Sequence, residues 1–388
     1  MAGGCAAMGM TEALSRYALR RVHVLTVEVP GEWVLRAAVE QGLAHRGWCA
    51  AVSPADADVL AVCGVPGAQL ADVVDLIWDQ LPGPRARIDV GDMHEVDAAL
   101  RRAAAALLDC GRQREDARNR AASPTKPNKV ADQHEADHGA MHHDMDHGGM
   151  HDHMGHGDMD MAPAGIALAE GGEDRDGLEM DVLHLRLGPV LAHWPAGLVL
   201  RCSLQGDVIV DAEPWWVDSE HRHGCAVNPV QDRECAARQC DHIEDLLALA
   251  GWSRAAGTAR QTRDLLLGGS DAGQAQAQLD KLDRVVRRSR LLRWSLRNLG
   301  PLTAEDLNRR QLPVALSGDT YDRLLTRIGQ TRELLSEPLS ANIFRSDLTR
   351  ISDMLPHLVR GLDIASARLV IASLGIDSGA SGESGAHG

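Results

Sequence analysis

Between His134 and Met161 the chain reads HEADHGAMHHDMDHGGMHDHMGHGDMDM, with eight His, six Met and seven Asp or Glu, and no Lys, Arg or aromatic residue. Imidazoles suit Cu(II), Zn(II) and Ni(II), and thioethers favour Cu(I). His134, His138, His142, His143, His147, His151, His153 and His156, with Met141, Met145, Met150 and Met154, offer overlapping donor sets within reach of one ion. The interspersed Gly residues let the chain wrap. No fixed spacing stands out, so the composition points to Cu, Ni or Zn binding by a flexible run rather than to a structured single-metal site. The plainer alternative is a solvated tether that meets metal incidentally.

A second donor group is His221, His223, Cys225, Cys235, Cys240 and His242. Zinc takes about four N/S ligands, usually paired by close spacing. A helix beginning near Asp232 would turn Cys235 and Cys240 about 140° apart, which disfavours joint ligation.

The elements around these residues set the domain organisation. Residues 111–179 lose hydrophobic periodicity and read as a disordered linker that contains the His/Met tract. They separate a domain over 21–110 from one over 180–376, with tails at 1–20 and 377–388. In the first domain, apolar runs at 22–28, 57–64 and 86–92 alternate with helical patterns at 32–45, 68–81 and 96–109. That alternation predicts a small parallel, flavodoxin-like sheet with helices on its faces. Ligands in such sheets sit beyond the strands' carboxyl ends, here near Val29–Trp33, Gly64–Gly67 and Gly91–His94. Cys63 reads as a small buried residue at a strand end, and Asp92 and His94 as solvated loop residues. The second domain opens with a strand and a hairpin turned at Gln205-Gly206. Helical patterns follow at 232–251, 274–300, 319–337 and 345–375, with Pro356 expected to kink or split the last. The fold class is therefore α/β followed by a β-hairpin plus a mainly α bundle.

Composition excludes several functions. The formal charge is −15, and residues 131–161 carry eight Asp/Glu without a single Lys or Arg. General nucleic-acid binding is not expected of so acidic a chain. There is no G-x-G-x-x-G and no P-loop, so nucleotide binding has no motif behind it. No run of 18 apolar residues predicts a membrane span, and the first 21 residues lack the apolar core of a secretory signal. Eight Cys in such a chain read as cytoplasmic thiols.

Residues 53–92, SPADADVLAVCGVPGAQLADVVDLIWDQLPGPRARIDVGD, resemble the cluster-bearing B-type component of NADH-quinone oxidoreductase (complex I) and the small subunits of nickel-iron hydrogenases. The second domain resembles the D-type component of complex I, which is related to the hydrogenase large subunit. LHLRLGP…LVLRCSLQGDVIVDAE, GDTYDRLLTRIGQTRELL (318–335) and LPHLVRGLDIASARL carry that likeness. The resemblance implies a fused B/D module. Such a module would dock on membrane quinone-reductase or ion-translocating, antiporter-like subunits at the cytoplasmic face of the cell membrane, peripherally and without a span of its own.

The departures from the family lie at the chemistry. The family holds a [4Fe–4S] cluster on four Cys, but Val29, Pro30 and Asp92 stand at the expected ligand places. The nickel-binding motifs of hydrogenases are absent. No Fe–S cluster and no NiFe centre is expected. The family's GPQHPxxHG loop projects a His toward the quinone headgroup. Here GPVLAHWPAG has Leu191 and Pro195 at the two His positions, and His193 lies out of register beside them. His221-Arg222 matches a retained family pair. His193, His221 and Arg222 are thus the quinone-site candidates that the resemblance implies, for a chain whose own catalytic activity is doubtful. Two alternatives stand beside the docking module: a metal-binding or sensing protein, and a quinone-binding oxidoreductase served by a separate electron donor.

Overall fold

The computed structural model describes residues 19–122, 170–173, 179–218, 232–269, 272–336 and 348–378. In the first domain β1 (His23–Glu28), β2 (Cys49–Ala50), β3 (Val59–Cys63) and β4 (Ala86–Val90) form one parallel sheet in the order β2-β1-β3-β4. All five residues of β3 are buried, as expected of a central parallel strand covered on both faces. Side chains alternate across the sheet. Val24, Ala61 and Ile88 meet α1 (Trp33–Arg46) and α3 (Val96–Leu108) on one face. Leu25, Leu60 and Val62 meet α2 (Ala68–Gln80) on the other, where Val199 and Val217 of the second domain join the same core.

The second domain is α/β in a different way. β5 (Glu170–Glu173), β6 (Glu179–Leu187), β7 (Leu198–Gln205) and β8 (Val208–Trp216) make an antiparallel meander. Its inner face packs on α11 (Leu348–Val359) and α12 (Ile364–Leu374). The helical part comprises α5 (Asp232–Leu249), α6 (Ser253–Leu267), α7 (Ala272–Arg288), α8 (Arg290–Leu296), α9 (Ala304–Arg310) and α10 (Thr320–Ser336). Five of these, all but α9, share a core that includes Leu247, Ala259, Val286, Leu296 and Ile328.

Three boundaries differ from the sequence expectation. In place of a linker from residue 111, α4 (Cys110–Ala122) continues the first domain. This helix is held by polar contacts rather than by an apolar stripe. Gln113 accepts from the Arg85 amide at 3.0 Å and donates to the Arg85 carbonyl at 2.9 Å, and Asp116 accepts from Arg85 Nε and Nη2, each at 3.0 Å. Such a helix leaves no hydrophobic period to read. At the other end of the expected linker, β5 pairs with β6, Glu170 opposite Val182; four residues with two central Gly give no alternation. Finally, the long helical patterns break at caps. Ser289 accepts from the Leu292 amide at 3.2 Å and separates α7 from α8. Between α11 and α12 the break falls at Gly361 (φ 82°) and the N-cap Asp363, while Pro356 stays inside α11.

The two domains share buried apolar surface. Trp33, at the start of α1, is 7 % exposed and packs among Ala236, Ala237, Cys240, Leu266, Leu279 and Leu334 of the second domain. The Arg238 guanidinium lies 5.1 Å from its ring centre. Replacing Trp33 by Ala removes this plug. We expect a loss of about 3–5 kcal/mol of unfolding free energy, read from urea unfolding curves of the full chain.

Candidate functional site

Where the domains meet, charged side chains converge from four elements. Glu28 ends β1, and Arg36 and Glu40 stand one turn apart on α1. Arg238, Asp241, Glu244 and Asp245 come from α5, and Arg260 and Arg263 from α6. Residues three and four apart share a helix face, so each helix presents its charges together. The Arg36 guanidinium bonds Glu28, Glu40 and Asp241, each at 2.5 Å. Arg263, with no exposed surface, bonds Asp241 at 2.7 Å, Glu40 at 2.8 Å and Glu244 at 3.3 Å. Arg238 holds Asp241 from a third side at 2.6 Å.

Burial and charge push these groups apart in proton affinity. Burial raises Glu40, but Arg36 and Arg263 outweigh it and hold the carboxyl at about 2. Asp241 is held low in the same way by Arg36, Arg263 and Arg238. Glu244 goes the other way: burial, then the charge of Glu40, pushes it up to about 7. Burial also raises Glu28 against the pull of Arg36. Burial, with Arg238 and Arg327 nearby, drives His242 well below the ordinary imidazole range.

Beside the network lies a cleft of roughly 200 Å³, bounded by the β1–β2 edge of the sheet, α1, the loop 189–196, α5, Arg260 in the middle of α6 and the end of α12. Trp48, Glu28, Arg36, His193, His242 and Glu244 line it. His193 sits on that loop with left-handed backbone, φ 55°, a conformation that costs a residue with a Cβ about 1–2 kcal/mol. Its Nδ1 meets Asp245 Oδ1 at 2.9 Å. Burial pulls its affinity for a proton down, but the bond and charge of Asp245, with Glu244 and Glu40, outweigh that and raise it. Among the described residues Nε2 meets no hydrogen-bond partner. The cleft thus carries one imidazole inclined to hold a proton and one kept neutral, the pairing that acid–base chemistry uses.

The sheet's own switch point, between the carboxyl ends of β1 and β3, is filled. Val29 packs with Val199 and Val217, and a Cβ on Gly197 would stand 2.7 Å from Pro30. Asp218 accepts from the Gln69 and Leu70 amides at 3.0 and 3.2 Å, occupying the amino end of α2. Its own amide donates to Gln69 Oε1 at 2.9 Å. Gly67 permits this approach, since a Cβ there would lie 2.4 Å from the Asp218 carboxyl carbon. Asp92 is exposed and accepts from the His94 amide at 2.7 Å, capping a single 3₁₀ turn.

Of the residues singled out by sequence, His193 is therefore in the cleft, Val29 and Pro30 are packed against the second domain, and Asp92 is a surface cap. His221, Arg222 and the whole metal tract, His134 to Met161, lie outside the described residues, as do His223 and Cys225. Cys235 is half-buried on α5. Cys240 is buried, and burial raises its thiol. Among the described residues no three His, Cys, Asp or Glu side chains are grouped as for a metal ion. No helix among them is long and apolar enough to cross a membrane. No protein-family model matches this chain, and no curated protein does.

The ionic network was not anticipated from the sequence. Its signal was there in the charged residues on faces that should be apolar: Arg36 and Glu40 within a buried helix, and Arg238, Asp241 and Glu244 on α5. Glu244 also yields a pH signature. Its folded affinity, about 7, exceeds the ordinary 4.5, so the folded state binds the extra proton between those values and loses stability as pH rises through that window. Glu40 acts oppositely, stabilising above about 4.5 and losing its contribution as pH falls toward about 2. Burial of His242 as a neutral imidazole has the opposite sign, adding stability as pH rises toward 6.5, so the Glu244 contribution is read as a difference: we expect the melting temperature of the native chain to fall relative to that of Glu244→Gln as pH rises from 5 to 7, measured by thermal unfolding of both at a series of pH values.

Proposed function

We propose that this chain is a fused, complex I-like peripheral module, a B-type domain followed by a D-type domain, that docks on a membrane quinone-reductase or ion-translocating subunit without a cluster or nickel centre of its own. The observation that carries this reading is the weld between the halves. A parallel-sheet domain and a meander-plus-helix domain, in that chain order, meet through the buried Arg36–Asp241–Arg263 network and leave a cleft between them. In the family that the sequence resembles, the same boundary houses the quinone. The occupied switch point supports the absence of a cluster there: Val29, Pro30 and Asp218 take up the space by packing and hydrogen bonding.

Tagged chain purified from mildly solubilised membranes of its own cells should bring down membrane subunits of the complex I or antiporter type at fixed stoichiometry, identified by mass spectrometry. Recovery of the chain alone, loaded with copper, nickel or zinc, would overturn the docking reading in favour of the His/Met tract.

A second reading, quinone binding with a separate electron donor, draws on His193. With Nδ1 anchored on Asp245, Nε2 could donate to a quinone carbonyl, and Arg238 Nε, buried in the lining, has no hydrogen-bond partner among the described residues. A cleft of roughly 200 Å³ suits a headgroup rather than a whole isoprenoid quinone. A soluble short-tail quinone should give a difference spectrum that His193→Ala weakens by about tenfold, the size of one charge-assisted hydrogen bond. An unchanged spectrum in that variant removes His193 from the role.

A further inference from the structure

The segment from Arg284 to Arg297 contains six Arg and no acid, in a chain whose formal charge is −15. It spans the end of α7 and the whole of α8, and all six Arg are exposed. Arg287 pairs with Asp283 at 2.8 Å, and Arg293 lies 5.4 Å from the Tyr321 ring centre. Among the described residues no carboxylate pairs with Arg288, Arg290 or Arg297.

The apolar residues in this segment divide sharply. Leu292 and Leu296 point into the core at 4 % and 0 % exposure. Trp294 is 79 % exposed and Leu291 73 %, and the two lie on adjacent turns of one helix. At about 100° per residue, Trp294 stands opposite the Leu292/Leu296 face, Leu291 stands about 60° to one side of it, and Arg290 and Arg297 to the other. Val285, 40 % exposed, extends the surface onto α7. Among the described residues nothing covers Trp294 or Leu291, and leaving such side chains in water costs about 1.5–3 kcal/mol each relative to burial.

Exposed Trp and Leu flanked by unpaired Arg are the components of an interfacial contact with an anionic lipid surface. The rings and aliphatic chains enter the headgroup–acyl boundary and the guanidinium groups meet phosphates. We propose that the α7–α8 corner is a membrane-surface contact, with Trp294 and Leu291 as the inserted pair and Arg288, Arg290 and Arg297 as the phosphate partners. Charge complementarity selects the lipid class: an acidic chain approaches an anionic bilayer only through a local basic face, and this is one. The proposal does not require the membrane-subunit partner of the preceding reading, and each can fail alone.

The test is flotation of the purified full chain with vesicles made of equal parts phosphatidylcholine and phosphatidylglycerol, against vesicles of phosphatidylcholine alone, at low and moderate salt. The chain should float with the anionic vesicles only, and less so as salt rises. Arg288→Gln, Arg290→Gln and Arg297→Gln should each lower the partition coefficient roughly fivefold, the equivalent of about 1 kcal/mol per basic residue at an anionic surface. Trp294→Ala should lower it further without altering the melting temperature, because the side chain is exposed. Failure to float with anionic vesicles overturns the proposal. So does flotation that all four variants leave unchanged, which would place the contact elsewhere, or flotation that Trp294→Ala leaves intact and soluble polyglutamate abolishes, which would make the patch a site for an acidic macromolecule.

Discussion

Arg36 and Arg263 bridge carboxylates that belong to both halves of the chain, and the geometry of the whole molecule follows from that. Arg36 comes from the first domain and reaches Asp241 of the second; Arg263 comes from the second and reaches Glu40 of the first. Each of these groups is expensive to strip of water and is tolerable only when its partners are in place. A small rotation of one domain against the other would strand at least one buried charge. The apolar clusters around Trp33, Val199 and Val217 supply attraction between the halves, but apolar contact is non-directional. The ion network, whose bonds have fixed lengths and directions, sets the angle at which that attraction is realised.

The same network leaves the cleft with an excess of acid over base. Glu28, Glu40, Asp241, Glu244 and Asp245 face Arg36, Arg238, Arg260 and Arg263. The guanidinium groups concentrate on Asp241 and Glu40, which are therefore held ionised. Glu244 and Glu28 receive less than their burial requires, and their protons become harder to remove. A proton-retaining carboxyl beside His193 is thus a consequence of how the domains are joined. Docking and acid–base character in this cleft have one physical origin.

The parts of the fold that bury a regular apolar stripe were legible in the sequence. Val59–Cys63 reads as a central strand because every residue is apolar, and α2 shows its period through Leu70, Val74 and Ile77. The parts held by polar contacts were not legible. The helix Cys110–Ala122 is fastened by Gln113 and Asp116 to Arg85 and by Arg120 to the Leu81 carbonyl, so its sequence resembles a linker. The long pattern over 274–300 hides a break because Ser289 both ends one helix and caps the next. His193 stood out in the sequence only through the likeness of its loop to the family's, out of register with the family's two His positions. Its importance comes from Asp245, 52 positions away, and from the strand edge and helix that close around it. Long-range ion pairs leave no period in the sequence, and the site is built from them.

The placement of the cleft follows from what the second domain does to the first. An open parallel sheet offers a crevice beyond the carboxyl ends of its strands, and a helix amino end there attracts anions. Here Pro30 meets Gly197, Val29 enters the shared core, and the Asp218 carboxylate takes the amides of Gln69 and Leu70. The position that the fold reserves for a ligand is used as a socket for another domain. A cleft remains where the two domains diverge again, along the β1–β2 edge and α1. That is where His193, His242 and Glu244 line the opening. The filled switch point and the interdomain cleft at the sheet edge are two results of one packing of the domains.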